Sequence, residues 1–334
     1  MSGQSNIFAE FTSLVEKAAF VTVDTELSGL TEDRNNITSL DEYLLLLRDG
    51  VTTYSMLQVG FCLAVYCSST PNGKWMLYPY NFYVYPSDDC VMHLRSSTVT
   101  WLHAQGFNFM RWISEGRGYR RLECEASTSG RSKRQKKVNR YGLQRYLEVI
   151  KKHNKPLVVH NGLLDLLHLY DKFIGVIPEL PGDICNALYT KLGPGIYDTK
   201  YVSRTLQSLG IQETLKVNSL ETIYRYYDEL VKFGSITEIC DTESHLNYSK
   251  CFSKTGMSKL ALVHEAGFDA LLTARVFAGQ ISLITKADSL PPDYVPVHSD
   301  DPTDMGTTLS AVINRVNIHD QIGIDCVNLL TGTG

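Results

Sequence analysis

No run of about eighteen apolar residues occurs in the chain, and its first thirty residues contain no apolar stretch of the kind that directs secretion. A membrane-spanning or exported protein is therefore not expected; the expectation is a soluble intracellular one, nuclear and/or cytoplasmic, with no membrane partner. Paired cysteine motifs are missing too. The eight cysteines include no Cys-x-x-Cys and fall within apolar runs such as Phe61 to Cys67, which fits a reducing compartment better than a disulfide framework. Charge is scarce: 20% of the residues are Asp, Glu, Lys or Arg, and the net charge is −4. A strong nonspecific binder of polyanions would be basic overall, so any contact with nucleic acid has to be local.

With 334 residues and 43% hydrophobic content, there is ample material for one large α/β domain or two small ones. Within it, three segments look built to aim polar groups. Phe20 to Leu30 (FVTVDTELSGL) reads as a buried strand breaking into polar residues. Asp24 and Glu26 are two positions apart on it, which puts both carboxylates on one face of the pleat. Leu157 to Asp165 (LVVHNGLLD) reads as an apolar strand running through a turn into a helix that carries Asp165. His264 to Asp269 (HEAGFD) lies on or enters a helix. Each piece alone has a plain reading as a strand-end carboxylate, a helix-start Asp or a surface His. Together they supply four carboxylates and one imidazole, a set suited to hard divalent cations.

The order of these segments resembles the DEDDh 3′-exonucleases of the ribonuclease H-like fold, and more narrowly their poly(A)-specific ribonuclease branch. The resemblance also rests on Tyr80 to Pro86, Gln105 to Phe109 and Tyr197 to Lys200, and it runs from about residue 7 to about residue 285 with an echo near Val316 to Leu330. It implies an α/β architecture with a mixed central sheet flanked by helices, a nuclease domain over 1–285, and a linker with a C-terminal segment over 286–334. The small RNA-binding domain that members insert between the first and second motifs is not expected, since only Glu123 to Tyr141 occupies the corresponding interval. Nor do Cys185, Cys240, His245 and Cys251 match the zinc finger of a nuclear relative.

What the resemblance implies for chemistry is two Mg²⁺ ions, with Mn²⁺ as a substitute, held by Asp24, Glu26, Asp165 and Asp269, and His264 as general base. Leu27, Ser28 and Asn161 are expected at the terminal nucleotide and Lys200 at a substrate phosphate, while Asp198 is left a structural role. The implied partner is RNA with a free, A-tailed 3′ end. A homodimer is also expected, and a separate RNA-binding protein could supply specificity. The expected activity is removal of poly(A) or oligo(A) tails from the 3′ end with release of 5′-nucleotides. The alternatives are a general trimmer of small-RNA precursors and a non-catalytic RNA-binding scaffold. A proofreading exonuclease acting on DNA fits the motifs outside the acids less well.

Elsewhere, Asn6 to Lys17 and Leu40 to Arg48 read as helices, and Leu57 to Tyr66 with Trp75 to Val84 as a hairpin turning at Asn72-Gly73. Thr98 to Phe107, Asn108 to Glu115 and Tyr141 to His153 read as helical. A further helix is expected from Asn218, with Glu221 completing a capping box. Gly234 to Gly256 has no periodicity and is expected to be a loop. The basic run Arg131 to Arg140 leaves three roles open, namely a solvated loop, nuclear import or RNA backbone contact.

Overall fold

A computed structural model describes residues 2–31, 37–70, 72–87, 91–119, 142–193, 195–242, 264–297, 307–318 and 324–334. The basic run Arg131 to Arg140, together with His245 and Cys251, lies outside them.

The N-terminal half alternates helix and long strand: α1 (Ser2–Lys17), β1 (Phe20–Leu27), α2 (Leu40–Thr53), β2 (Met56–Cys67) and β3 (Lys74–Pro86). Then come α3 (Ser96–Ala104), α4 (Phe109–Glu115) and β4 (Arg117–Tyr119). After the undescribed stretch follow α5 (Gln144–Lys152), β5 (Leu157–Val159), α6 (Leu163–Phe173), α7 (Pro181–Leu192), β6 (Ile196–Asp198) and α8 (Thr199–Ser208). The chain closes with α9 (Leu220–Lys232), β7 (Glu238–Asp241), α10 (Ala266–Ala287), α11 (Thr308–Val312), β8 (Arg315–Asn317) and β9 (Cys326–Asn328).

One mixed sheet runs in the order β4-β3-β2-β1-β5-β6-β8-β9, with β7 pairing to β3. The hairpin is antiparallel, and β1, β5, β6 and β8 are mutually parallel. Helices cover both faces. Alternation along β1 divides its side chains between two apolar layers: Val21, Val23 and Leu27 join the cluster with α1, α2, α6 and α7, whereas Phe20 joins the cluster with α8 and α10. Since both faces of β1 are covered, the strand reads as a nearly continuous apolar run until Asp24.

Helix α10 fixes the geometry of the molecule. Among the described residues it is the one helix long and apolar enough to cross a membrane, yet 89% of its apolar window is buried, which makes it the core helix on the sheet. Its N-terminus approaches the hairpin so closely that a Cβ on Gly60 would stand 2.0 Å from Ala266 O, and one on Gly267 would stand 2.6 Å from Asn81 Cβ. Glu265 at the cap position contributes no side-chain cap. Instead Gln58 Oε1 accepts from Ala266 N at 3.1 Å and Asn81 Oδ1 from Gly267 N at 3.2 Å, so strands β2 and β3 satisfy the first amides of the helix.

Several local expectations are corrected. Helix α9 is capped by Ser219, whose hydroxyl accepts from Thr222 N at 3.3 Å, and Glu221 is engaged instead with Arg225 on the helix surface. The stretch from Gly234 contains a strand, β7, which pairs in parallel with Lys74 to Leu77 of β3. A four-residue strand with Ile239 alone buried has no periodicity to find; edge pairing defines it. At the C-terminus, β8 and β9 extend the same sheet beyond β6.

Candidate active site

A cleft of about 750 Å³ opens at the C-terminal end of β1, where β1, α3, α6 and α10 meet. Asp24, Glu26, Leu27, Asn161, Asp165, His264 and Asp269 all line it. Three separate parts of the sequence thus converge on one cleft. Glu26, His264 and Asp269 each bring one potential ligand atom within 4.8 Å of the others.

Each acid is aimed by its own element. Asp24 and Glu26 share the face of β1 that also carries Thr22, whose hydroxyl donates to Ala270 O of α10 at 2.6 Å and so fastens strand to helix beside the acids. Asp269 lies in the first turn of α10, and its Oδ2 accepts from His264 N at 3.0 Å. His264 is held at φ 70°, in the left-handed region. Asp165 sits in the first turn of α6 and accepts from the hydroxyl of Thr25. Thr25 alternates with the two acids on β1, so one strand positions carboxylates of both helical layers.

The electrostatics run against ionisation. Burial, then the negative charges of Asp165, Asp269 and Glu26, push the Asp24 carboxyl well above the ordinary carboxylate range. Burial, then Asp269, Asp165 and Glu265, do the same to Glu26. Asp165 is pushed up to about 6 by burial, against the opposing hydrogen bonds from Thr25 and its own backbone. Asp269 is pushed up to about 7, again chiefly by burial, with the His264 amide pulling it down. Asp269 Oδ1 is buried without a hydrogen-bond partner. Four carboxyls crowded where none ionises readily, one with an orphaned oxygen, form a donor set that fits hard divalent cations. Burial also lowers the His264 imidazole below its ordinary value, keeping it neutral.

Two expected contacts lie elsewhere. Ser28 is fully buried; its hydroxyl donates to His93 O at 2.7 Å and accepts from Ser55 N at 2.9 Å, bracing the chain after β1 from behind. Lys200 opens onto a separate pocket. Asp198 has the structural part expected of it. Its Oδ1 accepts from Asn161 N and Lys200 N at 2.9 and 3.0 Å, and its Oδ2 from Gly162 N and Asn317 N at 3.2 and 3.1 Å. This anchor holds Asn161 at φ 53°, in the turn that leads to Asp165.

Sequence reasoning missed Thr25 and Trp101. Trp101, 43% exposed on α3, meets the His264 ring edge-on with centroids 4.5 Å apart, and with Leu27 and Leu164 it gives the cleft an apolar wall. Its position in a short helix gave no sign of this. No signal in the sequence singled it out, since Trp101 lies outside every motif that carries the resemblance.

A model of the CAF1 family ribonucleases matches residues 2–140 and 125–277. The chain belongs to the CAF1 ribonuclease family. This family member is similar to the pre-piRNA 3′-exonuclease trimmer of Bombyx mori, 33% identical over 89 residues that make up 26% of this chain and 16% of that protein. It is also similar to the poly(A)-specific ribonuclease PNLDC1 of Pongo abelii, 26% identical over 181 residues, or 53% of this chain and 32% of the relative. With the poly(A)-specific ribonuclease PARN of Arabidopsis thaliana it shares 24% identity over 143 residues, 41% of this chain and 20% of that one. The matches therefore span from 16% to 32% of these relatives' length. The RNase domain of the yeast Pop2 protein superposes with a TM-score of 0.51 at 15% identity, covering 85% of each chain. The expected family resemblance and the ribonuclease H-like fold are both borne out.

Proposed function

We propose that this CAF1-family chain is a divalent-metal-dependent 3′-to-5′ exoribonuclease that shortens RNA from a free 3′ end, with preference for adenosine tails, in the nucleus or cytoplasm. The observation that carries the reading is the convergence of Asp24, Glu26, Asp165, His264 and Asp269 on one cleft with an aromatic wall. Names of relatives support the substrate class: one is a 3′-exonuclease trimmer and two are poly(A)-specific ribonucleases.

Two Mg²⁺ ions, or Mn²⁺ in their place, would be held by Asp24, Glu26, Asp165 and Asp269 and would supply positive charge at the attacking and leaving oxygens when bound. His264 accepts the proton of the attacking water; its lowered basicity keeps the ring unprotonated at neutral pH, as a base requires. Asp269 orients that histidine through its backbone amide. Leu27, Leu164 and Trp101 take the faces of the terminal base and ribose, and Asn161 offers polar contacts beside them. A rigid anchor at Asp198 keeps Asn161 and Asp165 in register. Ser28 has no part in substrate contact in this scheme.

A time course on end-labelled RNAs tests the reading. The substrates share one body and end in adenosine, uridine or mixed tails, with a 3′-blocked RNA and a DNA version as controls. A ladder shortening from the free 3′ end with Mg²⁺ but not with EDTA, fastest on adenosine, is the expected result. Equal rates on all tails would move the assignment to a small-RNA trimmer. Tight binding without cleavage would overturn it in favour of a scaffold.

A further inference from the structure

Asn161 is exposed and lines the cleft, and its side-chain amide can meet a substrate either with Nδ2 as donor or with Oδ1 as acceptor. We propose that Asn317 of β8 is a positioning residue that fixes this choice: it turns the Asn161 NH2 group towards an oxygen of the terminal nucleotide and makes the C-terminal strand part of the active site. The ligand in this assignment rests on the exoribonuclease reading above. Strand β8 lies beyond residue 277, where the match to the family model ends.

The two asparagines hang from one carboxylate. Asp198, fully buried, accepts from Asn161 N through Oδ1 at 2.9 Å and from Asn317 N through Oδ2 at 3.1 Å. Asn317 is itself 2% exposed, so its side chain has no solvent to turn into. Its neighbours then decide its orientation. Arg204 Nη1, 3.3 Å from Asn317 Oδ1, can only donate, and Ile318 O, 3.0 Å from Asn317 Nδ2, can only accept. A flipped amide would set donor against donor at Arg204 and acceptor against acceptor at Ile318.

The second hydrogen of Asn317 Nδ2 goes to Asn161, and of that side chain only Oδ1 can receive it, at 2.7 Å. Asn161 Nδ2 is left as the outward end of the amide, and it donates to no group among the described residues. Asp325 holds Arg204 from the exposed side. The row Asp325, Arg204, Asn317, Asn161 thus runs from the surface to the cleft, with each orientation set by the residue before it. A donor fixed in this way recognises an acceptor without losing rotamer freedom on binding. The acceptor is a ribose oxygen or a phosphate oxygen of the terminal nucleotide.

The test is a double-mutant cycle on binding of a 5′-labelled triadenylate to the full chain in EDTA. Wild type is compared with Asn161→Gly, which takes φ 53° without strain, with Asn317→Ala and with the double variant. Each single variant should weaken binding by roughly 2–10-fold, the span of one lost hydrogen bond. The double variant should bind no worse than Asn161→Gly alone. With Mg²⁺ the same loss should appear in KM, with kcat little changed. Triadenylates lacking the terminal 2′- or 3′-hydroxyl identify the acceptor: the RNA that lacks it is insensitive to Asn161→Gly, and sensitivity of both assigns a phosphate oxygen. Melting curves check the fold. Asn317→Asp is the second variant: it keeps a partner for Arg204 but offers Asn161 only acceptors, so the Asn161 NH2 turns away from the cleft and binding falls as in Asn161→Gly. Unchanged affinity in both Asn317 variants would overturn the assignment. So would an equal loss from Asn317→Ala with and without the Asn161 side chain, the mark of a merely structural residue. Coupled binding losses in a chain that releases no nucleotide with Mg²⁺ would sink the exoribonuclease reading and leave the positioning role standing; cleavage without coupling would do the reverse.

Discussion

Replacing Asp269 by Asn should stabilise the metal-free protein at pH 8 while abolishing its activity. Asp269 is 8% exposed and its carboxyl is pushed from the ordinary 3.8 to about 7. At about 1.4 kcal/mol per pH unit, holding it ionised in the metal-free fold costs up to about 4 kcal/mol. Charge sharing among the neighbouring acids brings this to about 2–4 kcal/mol, or roughly 4–8 °C in Tm for a chain of this size. The folded state binds this proton more tightly than the unfolded state does. Stability is therefore greatest below pH 3.8, is lost as pH rises through about 7, and stays low above that. Asn keeps the oxygen that accepts from His264 N and removes the charge. Scanning calorimetry in EDTA should show Asp269→Asn melting above wild type at pH 8, by a smaller margin near pH 5, and level with it only below about pH 4. Adding Mg²⁺ or Mn²⁺ should raise wild type more at pH 8 than at pH 5.5, and raise the variant little, because a ligand stabilises the state it binds. A variant that melts lower than wild type at pH 8, or a wild-type Tm flat between pH 5 and pH 8 in EDTA, would refute the account of crowded, cation-seeking carboxyls.

Asp24→Ala should remove nuclease activity while leaving circular dichroism and the melting transition in place; retained turnover would break the assignment of the acid set. His264→Ala should lower kcat by roughly 10²–10⁴-fold. With wild type at saturating Mg²⁺, where the acids' own titration is suppressed by the bound ion, the acid limb of the pH–rate profile should fall below the ordinary imidazole value of 6.5, since burial lowers this ring; a limb above 6.5 that does not move with Mg²⁺ concentration would contradict that environment. Trp101→Ala should weaken binding of the terminal nucleotide by about 1–3 kcal/mol, read as a raised KM on short RNAs, if the ring stacks on a base. Asn81→Ala should leave a buried α10 amide unsatisfied, destabilise the fold by about 1–3 kcal/mol and depress activity together with Tm, although Asn81 touches no part of the cleft.

The acids were legible because the chemistry of each is written locally. Asp24 and Glu26 follow an apolar strand, Asp165 follows a strand and a turn, and Asp269 lies five residues after His264. Their helix and strand assignments need only short-range periodicity. What positions them is not local. Gln58 and Asn81 cap α10 across 208 and 186 residues of sequence, and Gly60 admits the helix backbone for a reason visible only once the helix is there. Ser28 shows the reverse case: the resemblance implies a substrate contact there, but the chain after β1 turns its hydroxyl inward to His93 and Ser55. Strand β7 and the capping residue of α9 were likewise decided by tertiary pairing and by one residue of register.

The same long-range contacts explain why the site can hold like charges together. Crowded carboxyls repel, so the elements that bear them tend to separate unless something stronger holds them. Here α10 is pinned by two side-chain caps from the hairpin and by the Thr22 hydroxyl on Ala270 O, and it packs its apolar length on the sheet. Helix α6 is pinned through Thr25 and, at the turn before it, through Asp198. None of these contacts ends on a free carboxylate oxygen of Asp24 or Glu26. The scaffold is thus tied on residues that alternate with the acids or flank them, and the repulsion is left for a bound cation to relieve. That arrangement predicts the order of losses on weakening the scaffold: Gln58 and Asn81 variants should lose metal-dependent stabilisation before they lose the fold, because α10 can shift at its N-terminus while its apolar length stays packed.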